Sequence, residues 1–260
     1  MSRFRKFERK IRHYLNRLSE IRFKEKLKSY VSRIGITSFS DEIELVDPNN
    51  KKLIFPCNLG ILFCGDFRKK EIHENIVHQL ENVYDSFFFN VIDLGNYRFT
   101  KKMLSRGIKR AKFRSKKRNN KEKIPLHPTN IFYQVLIDKR IEHKLDMIIA
   151  ITNLPIYSSE DELIFLFGET HLDHKACVVS SLLLKEQFYN EKRNEKLFQI
   201  RLEKEAIHEI GHILLGRKHC QNEACVMRKS KTVEEIDFKS IYLCPECLRK
   251  LEDIRDRFNF

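Results

Sequence analysis

Residues 208–220, HEIGHILLGRKHC, combine histidines and a glutamate at spacings that suit metal chemistry. On an α-helix His208 and His212 are one turn plus about 40° apart, so both imidazoles lie on one face. Two neutral imidazoles on one face suit Zn²⁺, and Glu209 is placed beside them as a general base for zinc-activated water. The pattern predicts a hydrolytic zinc centre, although HExxH can also arise by chance in a chain with 10 histidines.

Four cysteines follow at a spacing that predicts a second metal site. They form a C-x4-C pair and a C-x2-C pair: Cys220, Cys225, Cys244 and Cys247. Four thiolates in two closely spaced pairs make a closed tetrahedral zinc site, which is structural. Four free cysteines, or redox use of the second pair, are the weaker interpretations, since that pair follows no thioredoxin-like pattern. The other cysteines lie on or near apolar strands and are predicted core residues: Cys57, Cys64 and Cys177.

The stretch as a whole resembles the archaemetzincins, a family of metzincin zinc peptidases with the pattern HExxHxxGxxH, then Cys, four residues, Cys, one residue and Met. Cys220, Cys225 and Met227 fall at the family spacing, and the resemblance covers roughly residues 55–250. It implies a metzincin-like α/β (α+β) fold with a mixed sheet, an active-site helix and a small C-terminal zinc-bound subdomain. It also implies peptidase or aminopeptidase activity, His219 as third ligand of the catalytic zinc and Met227 as the Met-turn residue.

One residue departs from the family pattern. Leu215 stands where the family has glycine, and Gly216 comes one position later. One added helical residue rotates the chain exit by about 100° and shifts it by about 1.5 Å, which would aim His219 away from the metal. Two features could still bring His219 to the metal. The helix could absorb the extra residue as a π-bulge, or a zinc-bound Cys220 could fix the loop that carries His219. The competing third ligand is a downstream glutamate, Glu234 or Glu235.

The elements that must position these residues follow from apolar periodicity. Helices are predicted at 70–87, 128–143 and 192–216, and from Pro245 to Phe258. Strands are predicted at 59–65, 88–95, 146–152, 163–169 and 176–181, the first two forming a βαβ unit with the helix between them. A hairpin is expected around Pro48, and His171 and His174 are expected in a surface loop. The strand ACVVSS (176–181) is expected at the edge of the cleft, where an extended peptide could add as a strand.

Positive charge is concentrated in two segments. Residues 1–33 carry 12 Lys/Arg against 3 acids and residues 101–123 carry 12 against 1, so the other 204 residues sum to −6 of the net +14. Both segments suit an anionic partner such as nucleic acid, or are only a solvated helix face and a surface loop. We predict a basic amphipathic helical extension at 1–40 and a peptidase domain at 41–260, with a four-cysteine zinc subdomain at 220–260.

Two functions are consistent with these observations. The first is a cytoplasmic zinc metallopeptidase that acts on peptides or proteins and carries two Zn²⁺ per chain, one catalytic and one structural. The second is a catalytically inactive zinc-binding protein that binds nucleic acid or another anionic partner through its basic segments. No apolar run approaches the 18 residues of a membrane span, and neither a secretory signal nor a disulfide framework is indicated.

Overall fold

A computed structural model describes residues 53, 55–65, 70–114, 119–159, 164–258 and 260. The helix predicted within 1–40 and the hairpin predicted around Pro48 lie outside these residues, and the proposed domain boundaries stay predictions. None of the described helices is long and apolar enough to cross a membrane.

A five-stranded sheet forms the centre of the fold. Its strands, in chain order, are β1 (Cys57–Cys64), β2 (Phe88–Tyr97), β5 (Met147–Thr152), β8 (Gly168–His171) and β9 (Ala176–Ser180). They lie in the order β2-β1-β5-β9-β8, and all neighbours are parallel except β8, which runs antiparallel to β9. Every residue of β1, β5 and β9 is buried, as expected for strands covered on both faces. The predicted βαβ unit is confirmed, with α1 (Lys70–Tyr84) between β1 and β2.

The segment 101–123, for which a surface loop was one interpretation, contains regular secondary structure in its described residues. It contains α2 (Lys101–Ser105), followed by the strands β3 (Lys109–Arg114) and β4 (Asn119–Pro128). The two strands are antiparallel, and we call the pair β3 and β4 the basic hairpin. Together with β6 (Ile156–Tyr157) and β7 (Ile164–Leu166), the two strands form a second, four-stranded sheet in the order β3-β4-β6-β7. Phe113 of β3 explains the difference, because its ring packs edge to face on Phe165 and Phe188, which are distant in sequence.

The strand predicted at 163–169 is divided between the two sheets. Its first part is β7 in the smaller sheet and its second part is β8 at the edge of the central sheet. The two strands are separated at Phe167, and Phe165 within β7 has a φ of 58°, outside the usual range of extended strands. Strand periodicity therefore predicted extended structure in this segment. The division into two strands depends on the two sheets to which they belong.

The helices predicted downstream are confirmed, with small differences at their ends. They are α3 (Asn130–Glu142), α4 (Glu195–Leu215) and α6 (Pro245–Phe258), with a short α5 (Val233–Phe238) and 3₁₀ turns at Asp85–Phe87, Leu182–Leu184 and Glu186–Tyr189. Helix α4 begins after Asn194, whose side chain accepts a hydrogen bond from the Leu197 N–H.

Ion pairs inside the protein hold α4 against the segments around it. The Arg201 guanidinium, 1% exposed, lies 2.6 Å from carboxylate oxygens of both Glu186 and Asp237. Lys239, just after α5, lies 2.8 Å from Glu205 in a pair that is almost fully buried. Because each charge has a close partner, α4 can be buried nearly all round and still carry charged residues.

Candidate metal centre

The structure brings the three histidines of the motif together, and we call His208, His212 and His219 the histidine triad. Their ligand nitrogens lie within 4.8 Å of one another. His208 and His212 project from the same face of α4, as their spacing predicted, with their Nε2 atoms 3.1 Å apart. The His219 ring comes from the loop after α4 and lies 4.7 Å from the His212 ring, centroid to centroid.

The residue added before Gly216 is accommodated after the helix and not within it. Helix α4 stays α-helical to Leu215, and the Gly216 N–H donates to the His212 carbonyl at 2.9 Å, the ordinary i→i−4 bond. The predicted π-bulge is therefore wrong. Gly216 instead takes a φ of 90°, which glycine adopts without strain, and the chain turns back toward the triad.

The loop that carries His219 is held at its far end by a backbone hydrogen bond. The Cys220 N–H donates to the Met227 carbonyl at 3.0 Å, next to His219. The adjacent Val226 carbonyl lies 2.8 Å from His208 Nδ1. The same short segment thus fixes the loop that carries His219 and the first histidine of the helix.

Backbone carbonyls determine which histidine nitrogens are free to bind a metal. Nδ1 of His208 faces the Val226 carbonyl, and Nδ1 of His212 faces the Gly216 carbonyl at 2.9 Å. Since a carbonyl only accepts, each Nδ1 carries the proton and each Nε2 keeps its lone pair. Two lone pairs 3.1 Å apart repel unless a cation lies between them. This spacing is close to the edge of about 3.3 Å expected for a tetrahedral zinc with Zn–N bonds near 2.05 Å.

Burial keeps the triad in the neutral form that binds metals. It lowers the pKa of His208 well below its usual value and also lowers the pKa of His212. Burial, with the neighbouring His212 adding to the effect, lowers the pKa of His219 to about 4. All three imidazoles are consequently neutral near pH 7, and the donor set fits Zn²⁺.

Glu209 lies against the edge strand β8. Its Oε2 accepts a hydrogen bond of 2.6 Å from the Thr170 hydroxyl. A Cβ at Gly168 would lie 2.5 Å from Oε1, so the carboxyl group occupies the space that a side chain would fill. Burial raises the pKa of Glu209 to about 8, although the Thr170 hydrogen bond opposes that shift. The Thr170 hydrogen bond and the space at Gly168 hold the carboxyl in one place, as a general base requires.

The four cysteines of the second motif also converge, and we call Cys220, Cys225, Cys244 and Cys247 the cysteine cluster. Their sulfurs lie within 4.8 Å of one another and form no disulfide. The Cys220–Cys244 and Cys225–Cys247 sulfur distances are 3.5 and 3.8 Å. A tetrahedral zinc with Zn–S bonds near 2.3 Å separates its sulfurs by about 3.8 Å, so the cluster fits a structural zinc. The remaining three cysteines are buried in the core, as predicted.

Comparison with known proteins decides the family. A sequence profile of peptidase family M54 matches residues 57–253. The chain belongs to peptidase family M54. It is therefore a zinc metallopeptidase, a hydrolase of peptide bonds, as the resemblance implied.

Several relatives of this M54 peptidase are archaemetzincins. It is 39% identical over 134 residues to the archaemetzincin of Methanocaldococcus jannaschii, an alignment that covers 50% of this chain and 73% of that protein. It is 38% identical over 114 residues to the Pyrococcus furiosus protein, covering 44% of this chain and 58% of that one, less than two thirds of its length. The crystal structure of an archaemetzincin from Methanopyrus kandleri matches with a TM-score of 0.56 at 20% identity, covering 78% of this chain and 97% of that one. At that identity the match shows the shared fold, which confirms the predicted fold class.

Met227 and Gly211 pack together beneath the triad of this peptidase. Met227 is 1% exposed, and a Cβ at Gly211 would lie 2.3 Å from its sulfur. On the same side the Tyr84 hydroxyl donates to the Ile207 carbonyl at 2.7 Å. Met227 therefore lies directly against the helical turn between His208 and His212, and its role as the Met-turn residue stays a prediction.

A cavity of about 240 Å³ opens over the triad and Glu209. One wall of this cavity is β8, including Gly168, Thr170 and His171. Two expectations are corrected here. The strand at the edge of the cavity is β8 and not the strand at 176–181, which as β9 lies between β5 and β8. His171, expected in a surface loop, is the last residue of β8 and lines the site.

A second cavity, of about 820 Å³, adjoins the first through Arg217 and His219, which line both. Glu234 and Glu235 line this second cavity. They belong to α5, and in the described part of the chain they are not among the side chains that converge on the triad. The geometry thus favours His219 over either glutamate as third ligand.

Gly168 and Thr170 were missed by sequence reasoning, because nothing near them in the sequence indicates contact with a glutamate 39 residues after Thr170.

Proposed function

We propose that this M54 peptidase hydrolyses peptide bonds with a zinc held by the histidine triad and Glu209 as general base. The observation that carries the proposal is the meeting of three neutral imidazoles and a buried carboxyl at one cavity bordered by an edge strand. We also propose that the cysteine cluster holds a second, structural zinc, giving two per chain. Its closed set of four sulfurs leaves no position for a substrate.

Each residue has a distinct role in the proposed reaction. Zinc bound by the triad would activate water and polarise the scissile carbonyl. Glu209 takes the proton from the attacking water and later delivers it to the leaving amine. The Thr170 hydroxyl, 2.6 Å from Oε2, orients the carboxyl for both transfers. Gly168 leaves room for the carboxyl to lie against β8.

The edge strand supplies the surface that binds the substrate. Because β8 is the last strand of the central sheet, its outer backbone groups can pair with an extended peptide. Such a peptide would pass directly over the triad, since β8 residues and triad residues line the same cavity. Its residues beyond the triad on the Arg217 side would enter the larger cavity.

The tests are zinc content and hydrolysis of a peptide library by the wild type and single variants. We expect two zincs in the wild type, one in His219→Ala, and two in the matched controls Glu234→Gln and Glu235→Gln. Glu209→Gln should keep both zincs and lose about 100-fold or more in kcat/KM. Full zinc in His219→Ala, or full activity in Glu209→Gln, would refute the assignment.

The same assay distinguishes the finer possibilities. Peptides with free and acetylated N-termini test aminopeptidase activity, because an aminopeptidase requires the free amine. A wild type that holds two zincs but hydrolyses no peptide of the library would favour the inactive binding protein. The buried Glu209 argues against that alternative, since a purely structural zinc needs no base beside it.

A further inference from the structure

The basic hairpin presents one face to the protein and one to solvent. On β3, Phe113 packs on Phe165, and the Lys109 ammonium lies 4.4 Å from the centre of the Tyr157 ring, so odd-numbered residues face the body. Because side chains alternate along a strand, Arg110 and Lys112 point outward, and both are exposed.

The outward face carries like charges directly opposite each other. Lys112 pairs in register with Lys123 of β4, so their side chains lie side by side on the outer face. Among the side chains that the structure describes, no carboxylate forms an ion pair with Arg110, Lys112 or Lys123. A cross-strand pair of lysines destabilises a hairpin, so the arrangement costs folding energy.

More cations extend this surface along the chain. Lys101, Lys102 and Arg106, on and just after α2, are exposed as well. Between Asp93 and Glu122 the sequence contains no acidic residue. Residues 94–121, which include α2, β3 and the start of β4, are therefore a continuous segment whose charged residues are all positive.

We propose that the outer face of the basic hairpin binds the phosphate backbone of nucleic acid, without sequence specificity. Alternate residues on one face of a strand are about 6.7 Å apart, so successive outward cations can each approach a different phosphate. A two-stranded ribbon also fits the width of a major groove. Lys112 and Lys123 would each neutralise a phosphate, with Arg110 and the α2 cations beside them. This proposal rests on the hairpin and is independent of the zinc chemistry.

The test compares two variants of the zinc-loaded 260-residue chain that each remove two positive charges. K112Q/K123Q alters the hairpin face, and K250Q/R257Q removes two exposed charges from α6, which packs against α4. Binding to fluorescein-labelled 20-base-pair DNA and RNA duplexes is followed by anisotropy over a salt series. We expect the hairpin variant to lose about tenfold or more in affinity at 0.1 M salt, and the slope of log K against log salt to shrink by about 1 to 2.

The controls separate this surface from general electrostatics and from unfolding. K250Q/R257Q should bind within about twofold of the wild type, since exposed charges beyond a Debye length are screened. The melting temperature of K112Q/K123Q should not fall, because the substitution relieves a repulsive pair. Equal losses in both variants would overturn the proposal, as would wild-type binding that does not depend on salt. So would a hairpin variant that keeps its duplex affinity and loses binding to phosphatidylserine vesicles, which would identify a membrane surface.

Discussion

Alanine at position 211 should destabilise the protein although it is the better helix former. In the interior of an ordinary exposed helix, glycine to alanine stabilises by about 1 kcal/mol. Gly211 lies inside α4, where an added Cβ would be 2.3 Å from the Met227 sulfur and 2.5 Å from the Tyr84 hydroxyl oxygen. Normal contacts of this kind are about 3.5–4.0 Å, so both groups would have to move by more than about 1 Å.

The size of the effect follows from these contacts. Overpacking a close-packed interior costs about 1–3 kcal/mol. Moving Tyr84 also breaks its hydrogen bond of 2.7 Å to the Ile207 carbonyl and leaves the buried Tyr84 hydroxyl without its acceptor, a further ~1–3 kcal/mol. Taking the middle of each range and subtracting the helix-propensity gain of about 1 kcal/mol, we expect a net loss of about 3 kcal/mol. For a chain of this size that lowers the melting temperature by about 6–12 °C.

The assay is thermal unfolding of zinc-loaded wild type and Gly211→Ala, with Lys196→Ala in the exposed first turn of α4 as control. The control should change the melting temperature by less than about 2 °C. A second comparison uses Tyr84→Phe, which removes one of the two obstructing atoms. Gly211→Ala should therefore cost less in that background than in the wild type. A melting temperature that rises in Gly211→Ala would show that helix propensity outweighs the packing and would refute the reasoning.

Three further predictions follow from other contacts. Gly168→Ala should displace the Glu209 carboxyl, lowering kcat/KM about 100-fold while zinc content stays unchanged; kinetics paired with metal analysis will show whether it does, and unchanged kinetics would contradict it. Arg201→Met should leave the Glu186 and Asp237 carboxylates without their partner and cost about 3–5 kcal/mol in urea unfolding; a loss below about 1 kcal/mol would mean that the pairs matter little. Chelation should expose the cysteine cluster, so that four more thiols per chain react with a thiol reagent and the melting temperature falls; thiols that react equally before and after chelation would argue against the structural zinc.

Local spacing by itself determined much of this protein. His208 and His212 share a face because four residues span one helical turn, and that holds wherever the helix lies. The βαβ unit around α1 and the start of α6 at Pro245 also follow from periodicity and from the preference of proline for the first helical turn. Family resemblance added Met227 and the expectation for His219, because both occur at the family's fixed offsets from the glycine that follows the helix, here Gly216.

The tertiary structure decided what depends on contacts between distant segments. His219 reaches the triad through the turn at Gly216 and the Cys220–Met227 hydrogen bond, although a rigid continuation of the helix would aim it elsewhere. The basic segment forms a hairpin because the Phe113 ring packs on Phe165, which lies on a strand distant in sequence. Spacing acts over a few residues, where backbone geometry is fixed. Long-range packing selects among the many arrangements that the same local pattern allows, and it decided which strand borders the zinc site.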